Sequence, residues 1–359
     1  MTTINKNYED LNIAVIPADE WACGQYRMYI PYNHLKKNYI NNINILPLSI
    51  FAKPNALDNF DVIVAQRVID PLELNAIKDL QKKGKIFIHE VDDDLTRIQV
   101  DNPSYHTYRP NAPTFKIFAQ AVKDCDYLHV TTDYLKSVYV KKFNLNPNKV
   151  KVFNNSLDLT NSKYKENWRS KFPKDKVIFG FQGGSSHYND LSNIQSAVKI
   201  LLDKYDNTIF AFCSDNRSFG LFNVDIHRSI YLPPETKKFN DFIPIPSIFD
   251  IGLVPINTID FNNAKSYLKV LEYGAYGVPT VCTNFGDYSE YSKINSDGIV
   301  LTKNRTDKWV KAVERLIVDE DYRHKLGDSA YSDLVNGNTS LTYINEKRVE
   351  FFKSLCYNG

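Results

Sequence analysis

Glycine is scarce in this chain, with 14 copies in 359 residues, and no strand-like run is followed by Gly-x-Gly-x-x-Gly. That absence removes the dinucleotide fingerprint and argues against a nicotinamide-dependent oxidoreductase. No apolar run approaches the ~18 residues that a membrane-crossing helix requires. The amino-terminal residues are polar and unlike a signal peptide, so a cytoplasmic protein with no transmembrane segment is expected. Cysteine is sparse too: Cys23, Cys125, Cys213, Cys282 and Cys356 are odd in number and widely scattered. They give neither a disulfide framework nor a zinc spacing, and buried free thiols are expected. Charge of one sign is lacking, since 44 Lys+Arg face 42 Asp+Glu for a net +2. No global attraction toward nucleic acid or an anionic membrane follows from that balance. There is no short-period repeat and no low-complexity tract.

What is present is an ordinary globular composition, 43% hydrophobic and 24% charged, in a chain long enough for two domains with separate cores. Strand-like runs at 11–16, 43–48, 62–65, 86–89, 127–130 and 150–153 alternate with helix-like segments at 29–37, 71–83, 113–123 and 133–143. Such alternation predicts a parallel sheet covered by helices on both faces. The same pattern resumes at Val177 and runs to about Gly337, with helices at 307–318 and 321–335. The expected organisation is a first domain at 1–157, a polar linker at 158–176, a second domain at 177–339 and a terminal helix at 340–359. The fold class is α/β, with two Rossmann-like domains facing a cleft.

The densest signal is Phe261-Asn-Asn-Ala-Lys-Ser-Tyr-Leu-Lys-Val-Leu-Glu-Tyr-Gly-Ala-Tyr-Gly-Val-Pro-Thr280. Lys265, Lys269 and Glu272 are four and then three residues apart, so a continuous helix would carry all three on one face. Lysines and glutamates at that spacing most often decorate a solvated helix, where each pair contributes only ~0.3 kcal/mol. The flanks argue for more. Asn262, Asn263 and Ser266 can cap a helix and aim its N–H groups at an anion. The strand-like run Asp250-Ile-Gly-Leu-Val-Pro-Ile256 places the helix start near a strand's carboxyl end, where open α/β sheets bind ligands.

At these residues the chain resembles the retaining GT-B glycosyltransferases of the group 1, or family-4, class, in a subgroup with Lys-Ser-x-x-Lys-x-x-Glu and Asp-Asp-Asp-Leu motifs. The run Val177-Ile-Phe-Gly-Phe-Gln-Gly-Gly-Ser-Ser-His187 and the run Phe210-Ala-Phe-Cys-Ser-Asp215 resemble the opening strands of that class's nucleotide-sugar domain. The resemblance implies that Glu272 holds the donor ribose, that Ser266, Lys265 and Lys269 serve the diphosphate, and that no metal or other cofactor is needed. It further implies that the terminal helix returns to the first domain. The chain departs from the class where many members carry a first glutamate, here Ala264, and where others carry an Arg and a Lys, here His187 and Asp190.

Other constellations each carry a blander reading. Gly183 and Gly184 let backbone approach a ligand, and His187 beside them can donate to a phosphate. Cys23-Gly24-Gln25-Tyr26-Arg27 follows the first strand; alone it reads as a turn glycine and a surface arginine. With the resemblance, Arg27 pairs with the donor phosphate, and Gly24 and Tyr26 join the donor site. Asp92-Asp93-Asp94 is expected on the cleft floor, with Asp93 among the catalytic residues. The rival reading of Asp92-x-Asp94 is a metal-binding triplet of a different, metal-dependent glycosyltransferase architecture. Tyr105-His-Thr-Tyr-Arg-Pro110 either stacks a sugar or is a packed loop. Five lysines between Lys136 and Lys151 either follow a phosphate backbone or lie on a solvated surface.

These readings converge on an enzyme moving a sugar from a nucleotide-diphosphate donor to a hydroxyl, with retention. The acceptor is a saccharide or lipid-linked glycan, or a hydroxylated pyrimidine in bacteriophage DNA, which an A/T-biased composition would suit. A non-catalytic nucleotide-sugar-binding protein is the rival from another class.

Overall fold

The computed structural model describes residues 4–233 and 238–356 and divides them into two compact units. The first holds residues up to 100, 104–156 and the segment from Leu341, and the second holds 101–103 and 157–340.

In the first unit six strands form one parallel sheet: β1 (Ile13–Ile16), β2 (Ile43–Ile45), β3 (Val62–Gln66), β4 (Ile86–Glu90), β5 (Tyr127–Val130) and β6 (Val150–Val152). Their order is β2-β1-β3-β4-β5-β6. β1, β3, β4 and β5 are buried along their whole length, which is why they read as continuous apolar runs. Helices α1 (Ile30–Asn38), α2 (Pro71–Lys82), α3 (Pro113–Asp124) and α4 (Asp133–Phe143) supply the crossovers. Proline at the first turn and Asp70 accepting from the Leu72 N–H start α2.

The second unit has its own sheet: β7 (Val177–Gln182), β8 (Thr208–Cys213), β9 (Ser229–Leu232), β10 (Ile251–Val254), β11 (Thr280–Thr283) and β12 (Ile299–Thr302). Its order is β12-β11-β10-β7-β8-β9, all parallel. Helices α5 (Gln195–Lys204), α6 (Leu268–Gly274), α7 (Thr306–Val318) and α8 (Glu320–Asn336) cover it. Phe179, Phe181, Phe210, Phe212 and Trp309 form much of the core.

Residues 158–176, whose polarity suggested a linker, are built into this second unit. Arg169 pairs with Asp250 at 3.0 Å and donates to the carbonyls of Pro173 and Lys176, while the Trp168 N–H donates to Ser247 Oγ. Polar composition here reflects specific hydrogen bonding and not a solvated tether.

The last helix, α9 (Leu341–Lys353), packs in the first unit. Ile344, Val349, Phe351 and Phe352 join the cluster of Ile13, Val15, Tyr32 and Leu35. Asn345 is fully buried and donates to the Pro31 carbonyl at 2.9 Å, which fixes the helix against α1. All five cysteines are free thiols. No helix among the described residues is long and apolar enough to cross a membrane.

Candidate functional site

The winding of the second sheet reverses between β7 and β10, and open parallel sheets bind ligands at the carboxyl ends of the strands flanking such a reversal. β7 runs there into Gly183-Gly184 and a 3-10 turn, Ser185–His187. β10 runs into Asn257 and then a one-turn helix, Asp260–Asn263.

Asp190 ties these two ends together. Its side chain is almost fully buried. Oδ1 accepts from the Asn257 N–H at 2.7 Å and from Asn262 Nδ2 at 2.9 Å, while Oδ2 meets His187 Nδ1 at 2.9 Å. Asn193 Nδ2 reinforces the junction by donating to the Asp190 carbonyl and to Asn257 Oδ1. Burial lowers the His187 pKa below the usual imidazole value, and the charges of Lys265 and Lys269 push the same way, against the hydrogen bond that His187 makes to Asp190 and the Asp190 charge. Both lysines therefore act on the imidazole.

The continuous helix expected through Lys265, Lys269 and Glu272 is interrupted. The one-turn helix ends at Asn263, residues 264–267 are not helical, and α6 begins at Leu268. The cause lies outside the segment: the Tyr267 N–H donates to Asp287 Oδ2 at 3.1 Å instead of to a carbonyl one turn back. The expected caps are not made either, because Asn262 is committed to Asp190 and to the Asn257 carbonyl and α6 has no side-chain cap. Lys265 and Ser266 thus lie before α6, half-buried, with the Lys265 ammonium 4.9 Å from the Phe261 ring. Lys269 and Glu272 lie on α6 and form an ion pair at 2.7 Å, each with roughly one-seventh of its side chain exposed. Tyr273 orients α6: its hydroxyl accepts the Gln182 N–H at 2.8 Å, and its ring lies against Gly252 in β10.

Gly183 is required by packing, since a Cβ there would sit 2.4 Å from Phe181 Cζ and 3.2 Å from His187 Cδ2. The absent side chain makes room for the two rings. At Gly184 an added Cβ would meet Ser186 Oγ at 3.9 Å, an ordinary contact. The parts played by Asp190, Asn257, Asn262 and Tyr273 differ from the sequence reading, in which Asp190 stood out only beside His187 as a departure from the class and Asn262 only as a helix cap. Asn257 gave no signal.

In the first unit the expected residues take different parts. Arg27, expected at the donor phosphate, is 1% exposed. Its Nη2 and Nε bond Glu90 Oε1 at 2.6 and 2.8 Å, and Nη1 donates to the Phe153 carbonyl and to Asn155 Oδ1. Four donor contacts inside the unit commit the guanidinium to the fold. Gly24 permits a close approach within its own loop, because an added Cβ would lie 1.8 Å from the Asp19 carbonyl oxygen. Tyr26 is buried. Gln25–Tyr29, which carries Tyr26 and Arg27 and leads into α1, is a π-helix.

The three aspartates diverge. Asp92 pairs with Arg67 at 2.6 Å; burial, the largest single influence, raises its pKa, but the Arg67 charge, the hydrogen bonds from Cys23 and Arg67 and the Arg27 charge together hold the carboxyl below its usual range. Asp94 Oδ1 accepts from the Thr96 N–H and hydroxyl. Asp93 keeps a more exposed side chain, 3.9 Å from Arg67, and its carbonyl accepts from the Tyr139 hydroxyl at 3.0 Å. Arg67, which the sequence did not single out, has φ = 49° directly after β3, a conformation uncommon for a side-chain-bearing residue. The loop 105–110 is packed through Tyr108, buried edge-on to Phe118. Lys149 donates to the Lys123 carbonyl at 2.7 Å.

Residues 268–333, from the start of α6 into α8, match the glycosyl transferases group 1 family. No curated protein sequence matches the chain. Solved structures match it in fold. Anabaena HepE, determined with UDP and glucose, is 10% identical over 96% of this chain and 100% of its own, with a TM-score of 0.66. A Rickettsia africae glycosyltransferase is 14% identical over 98% and 100%, with a TM-score of 0.67. The sucrose-phosphate synthase of Thermosynechococcus elongatus is 12% identical over 96% and 99%, with a TM-score of 0.66. The two six-stranded parallel α/β units are those of the GT-B fold. With a glycosyl transferases group 1 match across α6 to α8, the chain is a glycosyltransferase.

Proposed function

We propose that this enzyme transfers a sugar, with retention, from a nucleoside-diphosphate donor, a UDP-sugar in the first instance, to a hydroxyl acceptor. The observation that carries the reading is the junction of His187, Asp190, Asn257 and Asn262 at the carboxyl ends of β7 and β10, with Lys269 and Glu272 paired on α6, which Tyr273 ties to the end of β7. Solved neighbours of the same fold that were determined with UDP or UDP-glucose support the donor class.

In this reading Glu272 receives the ribose hydroxyls, Ser266 and the Gly183-Gly184 loop line the diphosphate, and the two lysines stabilise the charge that grows on it as the sugar becomes oxocarbenium-like. Groups held in place before the reaction act strongly there, because they need no reorganisation as charge develops. The protein's own cations carry that charge, so the reading invokes no metal. Arg27 is left out of the donor site, since its guanidinium is fully engaged by Glu90, Phe153 and Asn155. Asp93 is retained as an acceptor-side residue.

The acceptor is a saccharide or lipid-linked glycan hydroxyl, or a hydroxylated pyrimidine in bacteriophage DNA. The test is release of nucleoside diphosphate from UDP-, GDP- and ADP-sugars in the presence of each acceptor class. Turnover that needs one donor and one acceptor class, and that falls in Lys269→Ala, supports the reading. Absence of release with every combination would sink it.

A further inference from the structure

We infer that Asp190 is a positioning residue for donor binding: it commits the Nδ1–H of His187 to its own carboxylate, leaves Nε2 as the ring's donor-facing atom, and makes capture of the diphosphate a proton-linked event. The inference rests on the donor reading above and adds to it a buried residue and a pH dependence.

Geometry fixes the first step. A carboxylate only accepts hydrogen bonds. Asp190 Oδ1 is already engaged by the Asn257 N–H and Asn262 Nδ2, so the 2.9 Å contact between Oδ2 and His187 Nδ1 requires the proton on Nδ1. Among the described residues none is hydrogen-bonded to Nε2, and the ring edge next to it lies beside Gly183. A histidine whose one nitrogen is clamped by a carboxylate presents the other in a single orientation, as second-sphere carboxylates do for metal-bound imidazoles.

The electrostatics give the second step. Three charged groups face His187: Asp190 from its own turn, Lys265 from the segment before α6, and Lys269 from α6 itself. In the unliganded enzyme burial, Lys265 and Lys269 disfavour the imidazolium, and Asp190 alone favours it. Nε2 then carries a lone pair and would repel a phosphate oxygen. A diphosphate between the lysines reverses the balance, because its negative charge offsets theirs and adds an acceptor for a second ring proton. The proton comes from solvent, binds Nε2, and leaves imidazolium held between Asp190 and the diphosphate. A histidine thereby contributes positive charge at this position only when the donor is bound.

The sign follows. The bound-state pKa of His187 lies above its free-state pKa, so donor affinity rises as pH falls through the bound value and levels off below the free value. The slope is at most about tenfold per pH unit for a single proton.

The test is calorimetric titration of the whole enzyme with UDP-glucose, a diphosphate diester with no titrating group near neutrality, in two buffers of different ionisation enthalpy. Wild-type enzyme is expected to take up a fraction of one proton per ligand at pH 7.5. His187→Gln should bind with no uptake and with an affinity that is flat in pH, and Asp190→Asn should lower the uptake. His187→Gln keeps the test decisive if Asp190→Asn loosens the junction with Asn257. Binding without proton uptake in the wild type overturns the inference and leaves the donor reading standing. If UDP-glucose, GDP-mannose and ADP-glucose all fail to bind, the donor reading falls and the inference with it.

Discussion

The Lys269 ammonium lies 2.7 Å from the Glu272 carboxylate on the same face of α6, with both side chains largely buried. The pair joins a group proposed to hold the ribose to one proposed to hold the diphosphate, so neither is independent of the other. Glu272→Ala should therefore weaken UDP binding by roughly 10- to 100-fold, the range for losing a hydrogen bond to a charged group. Calorimetry checks it, and unchanged affinity would remove Glu272 from the ribose site.

Lys269→Ala should lower kcat by about a hundredfold or more, corresponding to ~3 kcal/mol of transition-state stabilisation. Its effect on the urea midpoint should be smaller than that of breaking a fully buried pair, since about one-seventh of each side chain still reaches solvent, which screens the charge left behind. A normal rate with a large loss of stability would make the lysine structural.

Arg27→Met should act in the opposite way. Removing one partner of a fully buried pair leaves Glu90 uncompensated, and such losses are about 3–5 kcal/mol. Urea denaturation should show a strongly destabilised first unit, while UDP affinity of the folded protein is preserved. A normal midpoint together with lost UDP binding would return Arg27 to the donor site.

Acid should destabilise the first unit through His89. Burial holds its pKa at about 3, below the ordinary 6.5, and its Nε2 accepts the Val68 N–H at 3.0 Å. A base with a depressed folded-state pKa leaves the unfolded chain binding more protons. Its contribution is complete above about pH 6.5 and is lost progressively as pH falls toward 3. Urea midpoints measured from pH 7.5 to 4.5 should decline, and His89→Gln should flatten the decline by up to one proton's slope, about 1.4 kcal/mol per pH unit. Equal slopes in both proteins would contradict this.

Much of the fold could be read from the sequence because buried parallel strands leave unbroken apolar runs, and α4 begins and ends where Asp133 and Phe143 were read. β9 gave a weaker signal because all four of its residues are only half-buried at a sheet edge. Local geometry was legible in the spacing of Lys269 and Glu272, which pair on one helix face, and in the glycines after β7, one of which packs against two rings. It was illegible where distant residues decide. Asp287 takes the Tyr267 N–H and breaks the expected helix. Glu90, 63 positions away, draws Arg27 inward. Arg169 folds a polar stretch onto Asp250. Each is a charged group finding a partner far along the chain, which periodicity cannot reveal.

The measurement that tests the donor site most directly is calorimetric titration of the wild-type chain with UDP, GDP and ADP, each with and without EDTA, repeated on Lys265→Ala/Lys269→Ala. The account predicts saturable binding of at least one nucleoside diphosphate, unchanged by EDTA and weakened at least tenfold in the double variant. Binding that disappears with EDTA, or that survives removal of both lysines at full strength, would contradict it.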